Sequence, residues 1–310
     1  YGSSLANGFA PAFEAAGGTI SAQYVLPADV SQAGDTIQQA AEEIARDHNE
    51  TVVLLATGSG LAQSALIALR DAGVTGTIFG SDSASSRVFL QDSNAASEAA
   101  GGGIVTDGFY ASAPLYIDSM TGDAVRLAER IQADYGDLPT WRSFTSADAG
   151  VAIVNGLRNA GAPINSLSIV EKRSAIRDRW LALDSPENSI AAFVGPLYFD
   201  ANRTAPRPVA IGIASGNFFD SAPRQIALVS SESGLADGSV YIKVGDSTFE
   251  VQRVVLTGVD FNLVRDLDTV AQTFYADFFV WFKYYGDDDA ADVVFTNISD
   301  PQLLTVDEVR

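Results

Sequence analysis

The chain contains no cysteine, one histidine and one methionine in 310 residues. Without cysteine there is no disulfide, no thiolate nucleophile and no cysteine-ligated metal, and the redox compartment stays open. Basic residues are scarce too: 19 Lys and Arg stand against 39 Asp and Glu, a formal charge of -20. Nucleic acid and anionic membrane surfaces need a basic face to dock on, so neither is an expected partner. No run of about 18 apolar residues occurs, so no membrane span is expected in this stretch. No initiator methionine or signal peptide opens it, and "YGSSLANGFA" begins inside a helical pattern. The chain therefore reads as part of a longer protein, cut at both ends.

What is present is globular material. Hydrophobic residues make up 47% of a chain long enough for two domains, which excludes a disordered tail. Up to about residue 135, strand and helix patterns alternate. "SSLANGFAPAFEAAGG" is helical with a Gly17–Gly18 stop, "TISAQYVL" reads as a strand, and "DTIQQAAEEIARDH" as an amphipathic helix through Ile37, Ala40, Ala41 and Ile44. "TVVLLA" reads as a buried strand, "LAQSALIALRDAG" as a helix, and "TIFG" and "GGIVT" as further strands. Such repetition predicts a parallel sheet with right-handed crossovers.

Two long helical patterns and "SAIRDRWLALD" follow, then short strands in "AAFVGPLYFDANR", "RPVAIGIASGNFF" and "APRQIALV". The small, polar, Gly-containing segment 231–238 reads as a linker. Beyond it "SVYIKV", "STFEVQRVVLTGVDF", "TFYADFFVWFKYY" and "DVVFTNI" all read as strands. The fold class is thus α/β over residues 1–230, a linker at 231–238, and a small all-β, sandwich-like domain over 239–310.

"VVLLATGSGLAQ" sets Gly58-Ser59-Gly60 between a buried strand and a helix, and Asp82 follows the next strand in "TIFGSDSAS". Three alternatives stand for this turn. A dinucleotide site uses a strand–glycine–helix unit with an acid some 20 residues on, but Gln63 occupies the position where Gly or Ala allows close packing. A tight turn without any ligand is the second. The third follows from where ligands of open parallel sheets bind, beyond the carboxyl ends of the strands. Thr57, Gly58, Ser59 and Asp82 sit at such ends and suit a small zwitterion or polyol, with helix-start amides as donors and Asp82 as one negative charge.

Other residues carry less chemistry. His48 closes a helix and reads as a surface residue. Asp148, in "TSADAG", reads as a capping or hinge hydrogen-bonding group. Ser83, Ser85 and Ser86 have no histidine near them, which argues against a Ser-His-Asp hydrolase. Asp287, Asp288 and Asp289 lack the spacing of a calcium loop and read as a solvated turn. No cofactor and no metal is expected. In "TFYADFFVWFKYY", Phe274, Ala276, Phe278, Val280, Phe282 and Tyr284 fall on one face, the expected core side. Tyr275, Asp277, Phe279, Trp281, Lys283 and Tyr285 fall on the other, which reads as a half-exposed interface or as the second side of a thick sandwich.

"YGSSLANGFAPAFEAAGGTI", "RDAGV", "FGSDS" and above all "FVGPLYFDANRTAPRPVAIGIASGNF", with its G-P-L-x-F-D-x-x-R order, resemble the second lobe and hinge of type I periplasmic binding proteins. The branch is the one that carries branched-chain and other amino acids to ABC importers, and the resemblance covers about residues 1–230. It implies a non-enzymatic lobe that closes on a small polar or amino-acid-like ligand, outside the cytoplasm. It also implies that Tyr1 packs on the ligand, that the Gly58–Ser59 turn touches it, and that Asp82 holds its ammonium. Residues 248–300 resemble the start of the extracellular β-sandwich of bacterial pentameric ligand-gated channels. That resemblance implies a subunit interface at Phe279, Trp281 and Lys283, and homo-oligomers formed through the β domain. An importer's binding protein with a C-terminal β interaction domain remains the alternative, and a nucleotide-dependent oxidoreductase a more distant one.

Overall fold

Amphipathic periodicity builds the first layer. The computed structural model describes residues 1–120, 122–159, 163–229, 239–245 and 247–286. Helix α1 (Gly2–Ala15) is followed by α2 (Val30–Asp47), β1 (Val53–Leu55), α3 (Ser59–Asp71), β2 (Ile78–Gly80), α4 (Arg87–Ala99) and β3 (Tyr110–Ala113). In α2 the buried residues are Ala33, Ile37, Ala40, Ala41 and Ile44, a single stripe turned to the core. Its start is fixed by Asp29, whose carboxylate accepts from the Ser31 amide at 2.9 Å.

The main sheet runs β1-β2-β3-β4-β5, with β4 (Ala210–Ser215) and β5 (Phe218–Ser221) arriving late in the chain. The pairs β1–β2 and β2–β3 are parallel, whereas β3–β4 and β4–β5 are antiparallel. The core between sheet and helices is filled by Leu66, Leu69, Ile78, Leu90 and Phe109 together with many alanines. Small residues let the layers approach closely. At Gly80 an added Cβ would run into the Phe109 ring.

A second group of helices comprises α5 (Asp123–Tyr135), α6 (Trp141–Arg158) and α7 (Ile169–Leu181). One of its ties to the rest is Asp148, fully buried on α6. One carboxylate oxygen accepts from the Phe193 amide at 2.6 Å, and the other accepts from Val194 at 3.3 Å. The second oxygen also lies 3.0 Å from Nη1 of Arg207, an ionic contact rather than a well-angled hydrogen bond. This is the hydrogen-bonding role read for Asp148 from its sequence context. The same segment explains the G-P-L-x-F-D-x-x-R order in structural terms. Gly195 has φ 128°, Asp200 accepts from the amides of Asn202 and Thr204, and Arg203 sits at φ 61° in that turn.

Two expected strands are absent. Among the described residues "TISAQYVL" (19–26) pairs with no strand; Tyr24 and Leu26 pack against the core. "GGIVT" (102–106) is not a strand either, because the Asn94 side chain takes its backbone donors. Asn94 Oδ1 accepts from Val105 at 3.1 Å and from Thr106 at 3.3 Å. The third strand is instead Tyr110–Ala113.

By its contacts the chain divides into Tyr1–Gln252 and Arg253–Arg310. Strands β6 (Arg224–Leu228), β7 (Val240–Val244) and β8 (Ser247–Arg253) form one sheet in the order β6-β8-β7. Val229 donates to the Thr248 carbonyl at 2.9 Å, which draws β7 and most of β8 into the first unit rather than the C-terminal one. The linker expected at 231–238, the strand expected in "DVVFTNI" and Asp287–Asp289 lie outside the described residues. In the second unit β9 (Leu256–Asp268) and β10 (Thr273–Lys283) form an antiparallel pair.

The buried carboxylate gives a direct stability test. Asp148→Asn leaves the Arg207 charge, 18% exposed, without its partner, and should cost about 3–5 kcal/mol in urea unfolding. Asp134→Asn removes only an exposed pair 3.6 Å from Arg130 and should be close to neutral. Equal costs for the two variants would show that Asp148 does not tie α6 to the 193–207 segment.

Candidate functional site

Parallel pairing aligns two strand ends. Leu55 of β1 lies opposite Gly80 of β2, so Thr57 and Asp82 each stand two residues beyond matched positions. The turns after both strands therefore open on one edge of the sheet. α3 starts there with Gly58 as its N-cap and no side-chain cap, leaving the amides of an exposed helix start for a ligand. Gly58 and Ser59 are both exposed.

The floor of this edge is held by hydroxyls. Ser83 Oγ donates to the Thr57 carbonyl at 2.7 Å, Ser81 Oγ to the same oxygen at 3.3 Å, and the two hydroxyls lie 2.9 Å apart. These bonds tie the turn after β1 to the short 3₁₀ turn Asp82–Ala84 after β2. No histidine takes part, so the serine cluster is a scaffold and not a charge-relay system.

Tyr1 crosses the same edge. Its hydroxyl donates to Oδ1 of Asp82, so the structure brings together the two residues expected to hold the ligand from opposite ends of this segment. Partial burial, then the neighbouring carboxylate, holds the Tyr1 phenol above the ordinary range, so it is a neutral donor at neutral pH. Gly2 makes the approach possible, because a Cβ there would meet the Ala56 carbonyl. The Tyr-Gly pair thus has a steric reason. Tyr1 itself stays 63% exposed, its ring available to a ligand.

Two further residues at this edge escaped the sequence reading. Trp141 Nε1 donates to Ser85 Oγ at 2.9 Å, and Ser85 Oγ donates in turn to the Asp82 carbonyl at 2.8 Å. Arg142 Nη2 donates to the same carbonyl at 3.3 Å, and its guanidinium lies 4.5 Å from the centre of the Trp141 ring. Trp141 and Arg142 open α6, and nothing local in the sequence connects them to Asp82.

The other predicted residues belong to β10. Phe279 is 65% and Trp281 54% exposed, and Lys283 is exposed on the same face. Trp281 pairs with Gly258 and its indole lies across that residue, where a Cβ would clash. Ala276, Phe278, Val280 and Phe282 are half-buried, which keeps the expected alternation from 276 to 283 but not the expected depth. Phe274, placed with the core side, is 57% exposed. The register shifts between Thr273 and Tyr275 and between Asp277 and Phe278, and among the described residues its sheet has two strands and no second layer over this face.

No protein-family profile matches the chain, and no curated protein does. Solved structures do. A leucine complex of an ABC transporter substrate-binding protein from Desulfitobacterium hafniense is 15% identical with a TM-score of 0.51, over 72% of this chain and 57% of that one. An ABC transporter solute-binding protein from R. palustris, in complex with benzoate, is 20% identical with a TM-score of 0.50, over 69% and 52% of the two chains. A leucine binding protein from Thermotoga maritima is 17% identical with a TM-score of 0.47, over 62% and 49%. The chain spans about half the length of the solved structures it matches. The resemblance of residues 248–300 to channel sandwiches has no counterpart among these structures. The likeness shows the fold: a mixed α/β lobe with a parallel-rich sheet, as in type I periplasmic binding proteins.

Proposed function

We propose that this chain supplies one ligand-contacting lobe of an extracytoplasmic, non-enzymatic binding protein for a small polar, amino-acid-like solute. The observation that carries the reading is Tyr1 reaching across the carboxyl ends of β1 and β2 to hydrogen-bond Asp82. That places an aromatic face, a carboxylate and the uncapped start of α3 around one exposed edge, which can hold an amine and stack on its carbon skeleton. Leucine and benzoate in the neighbouring folds accord with a solute of this size. An ABC-importer binding protein and the sensor part of a receptor channel use the same edge equally. They differ in what the lobe is attached to. A nucleotide-dependent oxidoreductase lacks support, since Gln63 stands where a dinucleotide-binding turn carries Gly or Ala.

Asp82→Asn tests the role of the carboxylate. In calorimetry of the intact two-lobed protein it should weaken an amine-bearing ligand by about 1.5–3 kcal/mol. Unchanged affinity would remove Asp82 from the site.

For the second unit, we read the exposed row of Phe279, Trp281 and Lys283 as a contact between copies of the chain. Trp281→Ala should leave monomer stability nearly unchanged, because the indole is 54% exposed, and should shift self-association to higher concentration in sedimentation. A large stability loss with no change in association would return the strand to an ordinary sheet interior.

A further inference from the structure

One backbone oxygen at the edge is held from outside the sheet. The Asp82 carbonyl accepts from Ser85 Oγ at 2.8 Å, from the Ser85 amide at 3.4 Å and from Arg142 Nη2 at 3.3 Å. The buried Ser85 hydroxyl accepts in turn from Trp141 Nε1 at 2.9 Å. A serine hydroxyl has one proton and can turn it toward any acceptor in reach. With the Trp141 indole N–H facing its lone pairs, that proton is left to point at the Asp82 carbonyl. Trp141 and Arg142 open α6, which packs through Phe144 into a small core with Ala124, Ala128 and Val194. The core under the sheet is built from other residues. The Asp82 carbonyl is therefore a point where one packed group of elements grips the binding edge of another.

The grip reaches the side-chain side of the edge through the peptide itself. The Asp82–Ser83 peptide is trans and planar, so its N–H points opposite to its carbonyl. Burial, then the Asp82 carboxylate, raises the Tyr1 phenol, while the Ser81 hydroxyl and the Ser83 amide act in the opposite sense, which puts that amide next to the Tyr1 hydroxyl. The same hydroxyl donates to Oδ1 of Asp82.

We infer that Trp141 is a positioning residue for the binding edge: acting through Ser85, it fixes the peptide that carries Asp82, and with it the direction of the Asp82 side chain. The inference rests on the reading of the site given above and adds the support on which Asp82 stands. Arg142 holds the same oxygen as a second, longer donor. Trp141 and Ser85 act on a solute only through Asp82. The affinity of the edge then depends on α6 being in place, although α6 belongs to the other core.

Calorimetry of the intact protein with each of the common amino acids finds the tightest binder, which then serves as the probe. Trp141→Phe keeps a ring and loses the N–H, and should weaken that probe by about three- to tenfold, the share of one hydrogen bond. Ser85→Ala should weaken it by a similar factor. The double variant should lose no more than the larger of the two, because one chain of bonds is broken once. In an Asp82→Asn background neither change should matter by more than about twofold. Trp180→Phe is the control. Its indole N–H donates to the Ala152 carbonyl at 3.1 Å, so it loses a comparable bond between α7 and α6 and should leave affinity unchanged. Amide NMR of the protein without solute gives a second reading: Trp141→Phe and Ser85→Ala should shift the Ser83 amide, and Trp180→Phe should not. Equal loss of affinity in Trp141→Phe and Trp180→Phe, additive effects of Trp141→Phe and Ser85→Ala, or an unmoved Ser83 amide overturns the inference. If Asp82→Asn weakens the probe while Trp141→Phe and Ser85→Ala do not, only the role of Trp141 fails. If Asp82→Asn has no effect, or no amino acid binds, the reading of the site fails and the inference with it.

Discussion

The parallel register of β1 and β2 is the constraint on which the site depends. With Leu55 opposite Gly80, the turns after the two strands must leave the sheet on the same side. Hydroxyl bonds from Ser81 and Ser83 to the Thr57 carbonyl then lock the turns to each other. Given that lock, α3 can only begin at the edge where Asp82 stands, and the exposed helix start and the carboxylate become parts of one surface. Tyr1 joins them because Gly2 has no side chain to keep α1 away from Ala56. Each step follows from strand register, hydroxyl bonds and close approach before any ligand is considered.

A second constraint works from the far side of the lobe. The same helix that offers Trp141 and Arg142 to the edge carries Asp148 two turns later, buried among the amides of Phe193 and Val194 and paired with Arg207. A buried ion pair is a poor source of net stability, because desolvation offsets the attraction. What it gives is position. A carboxylate that must satisfy two consecutive amides and one guanidinium permits one placement of α6 against the 193–207 segment. The placement of Arg142 on the Asp82 backbone carbonyl inherits that definition through the helix.

Much of this was legible in the sequence where the information is local. The α2 stripe at Ile37, Ala40, Ala41 and Ile44 reports its buried face directly, and strand-end logic puts Thr57 and Asp82 together because the rule for parallel sheets is general. Segments whose state is decided by a distant partner were not legible. "GGIVT" has strand composition, yet Asn94 on α4 claims its donors. "TISAQYVL" has alternation, yet no strand pairs with it among the described residues. Trp141 and Arg142 lie 56 and 60 residues from their partners Ser85 and Asp82, so nothing near them in sequence marks them as part of the site. On β10 the two-residue period gave the faces correctly from Ala276 to Lys283. Depth depends on what packs against the sheet, and period alone does not contain it.

The central claim is that a small zwitterion lies on the edge formed by the ends of β1 and β2. Backbone and indole NMR of the intact protein, titrated with an amino acid that binds it, tests this most directly. The account predicts that the largest shifts fall on the amides of Ser59, Gly60 and Ser83 and on the Trp141 indole N–H, with the helix start of α3 responding as a donor group. Largest shifts on the outer face of α6 around Gly150–Arg158, with Ser59, Ser83 and Trp141 unmoved, would contradict it.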